Sequence, residues 1–184
     1  VVDLGTGDGR SVLHLARRDP HALVIGIDAV AASMRDASRR AARPAAKGGW
    51  SNVVFVVAAV ESLPTELTSV ADEVRVTFPW GSLLRGVLGA DEAALEGVAR
   101  VAKRGAQIRA LISVTERDGL GVDPDAGCAL LSSIYRASGL RLVEARPATR
   151  EEIAGANSSW AKRLGAGIDR PVTMLRAVRD ERRR

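Results

Sequence analysis

The sequence predicts an α/β domain built on a seven-stranded, mostly parallel sheet with helices on both faces. Two observations carry this. Short runs rich in Val, Ile and Leu, each long enough for one buried strand, recur along the chain. Segments of helical composition separate most of them, and such a rhythm builds parallel sheets through crossover helices.

The chain opens on "VVDLG", which reads as the end of a first strand. It lacks an initiating Met and any element before that strand, so a missing N-terminal segment is expected. Further strands are expected over 22–28, 52–59, 73–78, 107–114, 140–147 and 171–178. Helices are expected over 10–18, 31–42, 91–103 and 126–138, with Gly105 and Gly139 as C-terminal stops. Gly, Pro and Asp cluster in 43–49 and 117–127, which read as loops. One domain of 184 residues is expected, with 147–170 a long connection between the last two strands.

Composition removes several function classes. Hydrophobic residues make up 46% and charged residues 27%, ordinary for a globular chain. No run of eighteen apolar residues exists to cross a membrane as a helix. A single Cys (Cys128) excludes an internal disulfide framework and fits a reducing compartment, so a cytoplasmic location is expected. With His14 and His21 it makes too scattered a set for a metal. The net charge is +5, and all but three of the 27 basic residues are Arg, a side chain suited to bidentate phosphate contact. A nucleic-acid partner fits this balance without being required by it.

In such sheets ligands bind at the carboxyl ends of the strands. Four of these ends carry unusual residues. The first is "DLGTGDG" (3–9), where Gly5, Gly7 and Gly9 allow a tight turn and close approach of a ligand to bare backbone. The spacing is not the G-x-G-x-x-G of dinucleotide binders. Asp3 and Asp8 make the loop acidic, which disfavours pyrophosphate and suits the cationic amino and sulfonium groups of S-adenosylmethionine (SAM). The second is Asp28, nineteen residues after Gly9, where a carboxylate takes ribose hydroxyls. The third is "AAVESLP" (58–64), where Val60 suits packing on an adenine ring and Glu61 lies close by. Together these predict the class I, Rossmann-like fold of SAM-dependent methyltransferases.

The fourth end is "VTFPWGSLLRG" (76–86), which sets Trp80 on the tip of a strand beside Pro79. Trp160 follows late, in "GANSSWAKRLGAGIDR" (155–170). Two Trp over one cofactor pocket are suited to sandwich a flat base taken out of its stack. Either also has a plain structural reading: Trp80 covers a sheet edge, and "NSS" (157–159) caps a short helix. Trp50 reads as a surface or packing residue. Arg39, Arg40 and Arg43 on one side, with Lys162, Arg163 and Arg170 on the other, are expected to bracket the aromatic site and track phosphates.

The motifs "DLGTGDG", "PWGSLLRG" and "SSWAKRL" resemble those of the aminoglycoside-resistance methyltransferases that modify N1 of adenine 1408 in the decoding-site helix of 16S rRNA. The resemblance spans essentially the whole chain. It implies that Asp3, Gly5, Thr6, Gly7 and Gly9 hold the methionine end of SAM, and Asp28 the ribose. Val60 and Glu61 would lie on the adenine side, with Thr77 completing the cofactor set. It further implies Trp80 and Trp160 on the two faces of a flipped adenine, with Ser158 near the base. Arg39, Arg40, Arg43, Arg85, Lys162, Arg163 and Arg170 would contact rRNA. The implied partner is the 30S subunit, with the enzyme a monomer. Related tRNA guanine-N7 methyltransferases also place Pro-Trp after strand four but are expected to continue differently. A methyltransferase acting on tRNA, and a catalytically silent rRNA-binding protein of the same fold, are the alternatives. A nicotinamide oxidoreductase fits poorly.

Overall fold

A computed structural model describes residues 1–115, 128–168 and 170–181. The loop expected over 117–127 lies outside them. Seven strands form one sheet: β1 (Val2–Leu4), β2 (Val24–Asp28), β3 (Val53–Val57), β4 (Ala71–Thr77), β5 (Ala102–Ile112), β6 (Leu140–Pro147) and β7 (Thr173–Arg179). Their order is β3-β2-β1-β4-β5-β7-β6. Pairs β1–β2, β2–β3, β1–β4 and β4–β5 are parallel, while β7 runs antiparallel to both β5 and β6. The chain winds outward from β1 in both directions, so the crevice at the carboxyl ends of β1 and β4 is the switch point where ligands bind.

Both faces of the sheet are covered. On one, α1 (Arg10–Arg18) and α2 (Ala31–Ala41) set Val12, Leu13, Ala16, Ala37 and Ala41 against Val24, Val53 and Phe55. On the other, α3 (Gly81–Val87), α4 (Glu92–Val101) and α5 (Cys128–Ala137) enclose the larger core, in which Val2, Leu4, Val74, Val76, Leu95 and Val98 are almost wholly buried. Asp91 caps α4 by accepting the Ala94 N–H. The Tyr135 hydroxyl donates to the Val87 carbonyl and fastens α5 to the end of α3.

One expectation is corrected, and one helix appears that was not expected. Gly105 does not stop a helix: α4 runs into β5 with no loop, and Gly105 (φ 75°) lies inside that strand. There the register with β4 moves from Ala71 opposite Ala102 to Glu73 opposite Gln107, a bulge that uses glycine's left-handed freedom. The segment after Pro79-Trp80 is the helix α3. Gly81 and Gly86 weaken its helical propensity, but Gly86 is required because a Cβ there would meet the Ala94 Cβ at 2.7 Å.

Gly9 belongs to this packing as well. It has φ 70°, and a Cβ would sit 2.7 Å from the Ala37 Cβ and 2.8 Å from the Phe55 ring. Gly9→Ala is therefore expected to destabilise the fold by roughly 2–4 kcal/mol, from left-handed strain plus overpacking. A urea titration would show it as a lowered midpoint with little change in slope.

Candidate active site

The β1–α1 loop is pinned from beneath. The N–H groups of Gly5 and Thr6 both donate to the Ile27 carbonyl, at 2.8 and 3.0 Å, drawing the loop over the end of β2. Asp28 then holds it from the side: one carboxylate oxygen accepts the Gly7 N–H and the other the Val30 N–H, each at 2.8 Å. An ionised carboxylate offers about four acceptor sites, so both oxygens keep capacity for ligand hydroxyls. Asp3 has a different task. It is 2% exposed and accepts the hydroxyls of Thr6 (2.9 Å) and Ser11. Burial raises its pKa, against the lowering effect of those hydroxyls.

A cavity of about 400 Å³ opens above this loop, within the range of small-molecule sites. Gly5, Gly7, Asp28 and Val30 form one wall, Ala58 to Glu61 another, and Pro79 to Leu83 with Trp160 the third. A Cβ on Gly7 would meet nothing within 4 Å, so bare backbone faces open space. Val60 is buried, and Gly97 of α4 lets that helix rest on its carbonyl, which a Cβ would meet at 2.0 Å. Exposed loop backbone, the Asp28 carboxylate and an apolar slot suit the methionine, ribose and purine parts of SAM respectively.

Of the expected cofactor residues, Gly5, Gly7, Asp28, Val60 and Glu61 reach this wall. Asp3, Thr6, Gly9 and Thr77 do not line it. Asp3 and Thr6 brace the loop through one hydrogen bond, Gly9 packs on helix and sheet, and Thr77 pairs with Leu111 in the sheet. Sequence reasoning missed Val30, Ser33, Ser82 and Leu83, which line the wall. The last two lie in the first turn of a helix that was not expected.

Phe78 explains how Trp80 comes to stand out. It precedes Pro79, a position that disfavours helical backbone, yet has φ 49°. Such a conformation costs about 1–3 kcal/mol and persists only where surroundings enforce it. Here the Phe78 N–H donates to the Leu111 carbonyl at 2.8 Å, and its ring is buried with Leu111, Ala161, Val172 and Met174. The chain thus kinks at the end of β4 and delivers Trp80 half-exposed at the cavity mouth.

Trp160 arrives on α7 (Ser159–Leu164), and its neighbour Ala161 packs in the same cluster as Phe78. Ser158 caps that helix by accepting the Ala161 N–H at 3.4 Å, and Asn157 before it has φ 47°. The simple capping reading of "NSS" therefore describes what this segment does here. The ring centroids of Trp80 and Trp160 lie 5.6 Å apart, with planes tilted by 45°. A flat base between two parallel rings needs about 7 Å, two van der Waals separations. The rings touch each other in this arrangement and must part to admit a base.

The basic residues expected around the aromatic pair stand in different settings. The Arg163 guanidinium lies 5.6 Å from the Trp160 ring centroid, and Lys162 beside it is exposed. Arg170 is engaged, donating to the Ser113 hydroxyl and carbonyl at 3.3 Å each and tying the connection to the end of β5. Arg85 pairs with Asp91 at 3.6 Å. Arg39 and Arg40 stand in the last turn of α2, about 10 Å along its axis from Ser33 at the cavity, and Arg43 follows the helix.

The connection carrying Trp160 is anchored by charge. Arg146 of β6 makes two bonds to Glu152 of α6 (Arg150–Gly155), at 2.7 and 2.9 Å, and one to Glu144 at 2.7 Å. Thr149 and Glu152 form a reciprocal capping box. The Arg146 guanidinium, then the Thr149 N–H, hold the Glu152 pKa down at about 2 from its ordinary 4.5, and Arg146 also lowers that of Glu144. Because both folded pKa values are depressed, the stabilisation is complete above the ordinary carboxylate range and is lost as pH falls through about 4.5 towards 2. Glu152→Gln is expected to flatten this acid dependence, measured as urea midpoints at descending pH.

The reversed last strand, the loop braced by Asp28 and the cavity beneath two Trp define this chain as a class I SAM-dependent methyltransferase. The family model described as "16S rRNA (adenine(1408)-N(1))-methyltransferase" (NpmA) matches residues 1–179, and the chain belongs to that family. A 16S rRNA (adenine(1408)-N(1))-methyltransferase of Escherichia coli is 38% identical over 179 residues, covering 92% of this chain and 82% of that protein. One of Streptoalloteichus tenebrarius is 38% identical over 178 residues, with the same coverage. The crystal structure of a mutant 16S rRNA (adenine(1408)-N(1))-methyltransferase with cosubstrate SAM, from Catenulisporales acidiphilia, superimposes with a TM-score of 0.88 at 36% identity, covering 100% of this chain and 86% of that one. The 16S rRNA methyltransferase KamB gives 0.84 at 36% identity, covering 97% and 86%.

Proposed function

We propose that this chain transfers the methyl group of SAM to N1 of adenine 1408 in 16S rRNA of the 30S subunit, and thereby confers aminoglycoside resistance. The observation that carries this reading is the Trp80–Trp160 pair at the mouth of the cavity, in a chain of this family. When bound, SAM supplies an electrophilic sulfonium methyl. Adenine N1 presents an in-plane lone pair and holds no proton that must leave first, so no general base is required. The task left to the protein is placement.

Asp28 holds the ribose, Gly5 and Gly7 offer backbone to the methionine end, and Val60 with Val30 flank the adenine. Trp80 and Trp160 hold the extruded target base, with Ser158 close to it. As the base gains positive charge during transfer, the Trp faces stabilise it more than the neutral base, so the clamp favours the transition state. Lys162 and Arg163 neutralise nearby phosphates, Arg170 orients the connection they stand on, and Arg85 and the Arg39–Arg43 group extend the basic surface. Among the described residues no helix is long and apolar enough to cross a membrane, and a monomer acting in the cytoplasm suits this role.

Methyl transfer from labelled SAM to 30S subunits, naked 16S rRNA and bulk tRNA tests the substrate. Label in 30S subunits is expected. Label confined to tRNA would favour a tRNA methyltransferase, and no label despite SAM binding a silent rRNA-binding protein.

A further inference from the structure

A second groove lies outside the cavity, between α1 and the last turn of α2. It encloses about 270 Å³ and is lined by Arg10, His14, Arg17, Arg40, Trp50 and Asn157, over Leu13. Arg10, Arg17 and Arg40 are exposed, and no carboxylate is among the lining residues. Asp8 draws on Arg10 at 3.4 Å, which leaves Arg17 and Arg40 as the principal cations. Trp50 holds both: their guanidinium carbons lie 5.7 and 6.0 Å from the centroid of its ring. Two like charges on flexible side chains would otherwise separate. The ring, half-buried against the Leu13, Ala37 and Ala41 cluster, gives both guanidiniums one fixed aromatic partner.

The groove ends at Asn157, in the strained turn directly before Ser158 and Trp160. A strand leaving the aromatic clamp therefore meets a continuous path of positive charge down α1. We infer that this groove is a second RNA-binding site, in which the Trp50-held guanidiniums of Arg17 and Arg40 grip the phosphodiester backbone of the RNA whose base enters the clamp. The inference rests on the RNA-methyltransferase reading above and adds Arg10, His14, Arg17 and Trp50 to the docking surface. It also gives the Arg39–Arg43 end of α2 a route to the active site, which its distance from the cavity otherwise denies it.

The test is equilibrium binding to 30S subunits over a series of salt concentrations. Arg17→Glu is expected to weaken binding about tenfold at moderate salt and to lower the slope of log affinity against log salt by about one, the signature of one lost phosphate contact. Its SAM affinity and melting temperature should match those of the unmodified chain. Trp50→Leu retains an apolar side chain against Leu13, Ala37 and Ala41 but removes the ring, so a severalfold loss with an unchanged slope is expected. Wild-type affinity and slope in Arg17→Glu, in a chain that still binds and methylates 30S subunits, would overturn this inference alone. Wild-type binding by Trp50→Leu would overturn the role of the ring in placing the cations. Failure of the unmodified chain to bind 30S subunits at any salt would overturn both this inference and the reading it rests on.

Discussion

Trp80→Ala and Trp160→Ala are each expected to lower methyl transfer to 30S subunits by ten- to a hundredfold while SAM binding stays within a few-fold. Stacking a base on one aromatic face contributes about 1–3 kcal/mol, which sets that range. The loss should fall mainly on kcat, because each ring favours the charged, methylated base over the neutral one. Trp→Phe at either position should recover part of the rate, since Phe keeps a face but a weaker one. The double Ala variant should do less harm than the product of the two single losses. The ring centroids lie 5.6 Å apart, and side chains in contact that serve one proposed clamp are not additive. Single-turnover rates on 30S subunits, with calorimetric SAM titrations of the same variants, check all of this.

Asp28→Ala should reverse the pattern, weakening SAM at least about fiftyfold. The carboxylate accepts the N–H groups of both Gly7 and Val30, so its removal leaves two donors without their partner and frees the loop, besides removing the proposed ligand for ribose. Charge-assisted hydrogen bonds contribute about 1.5–3 kcal/mol each, which sustains that magnitude even after partial rescue by water. Asp28→Asn keeps one acceptor oxygen and should fall between. Calorimetry would separate the three proteins, and at saturating SAM their methyl-transfer rates should converge.

The order and type of the long elements were legible because strands of a covered parallel sheet such as β2 and β4 write Val/Ile-rich runs, and even the antiparallel edge strand β6 was placed at the bounds it has. What escaped was set by contacts far apart in sequence. Gly105 after a helical stretch looks like a stop, and only the neighbouring strand shows it to be a bulge. Gly81 and Gly86 hid α3, since the reason for Gly86 is the Ala94 it touches.

The candidate site was legible as a set of chain positions rather than as a division of labour. Asp3, Gly9 and Asp28 carry equal weight in a motif, but burial separates them: Asp3 braces the loop, Gly9 admits Phe55, and Asp28 faces the cavity. Arg170 looked as available as Arg163 until Ser113 was found against it. The left-handed backbone of Phe78 carries no signal in its own residue type. A Phe before Pro reads as extended, and the kink that projects Trp80 is imposed by Leu111, Ala161, Val172 and Met174.

In the proposed reaction, two Trp at the mouth of a SAM site present N1 of one rRNA adenine to the methyl group. Reverse transcription of 16S rRNA from 30S subunits treated with the enzyme and SAM tests it most directly, because methylation at N1 blocks the pairing edge and halts the polymerase. One new stop is expected, at adenine 1408, absent without SAM and sharply reduced with Trp80→Ala. A stop elsewhere, or an undiminished stop with Trp80→Ala, would contradict it.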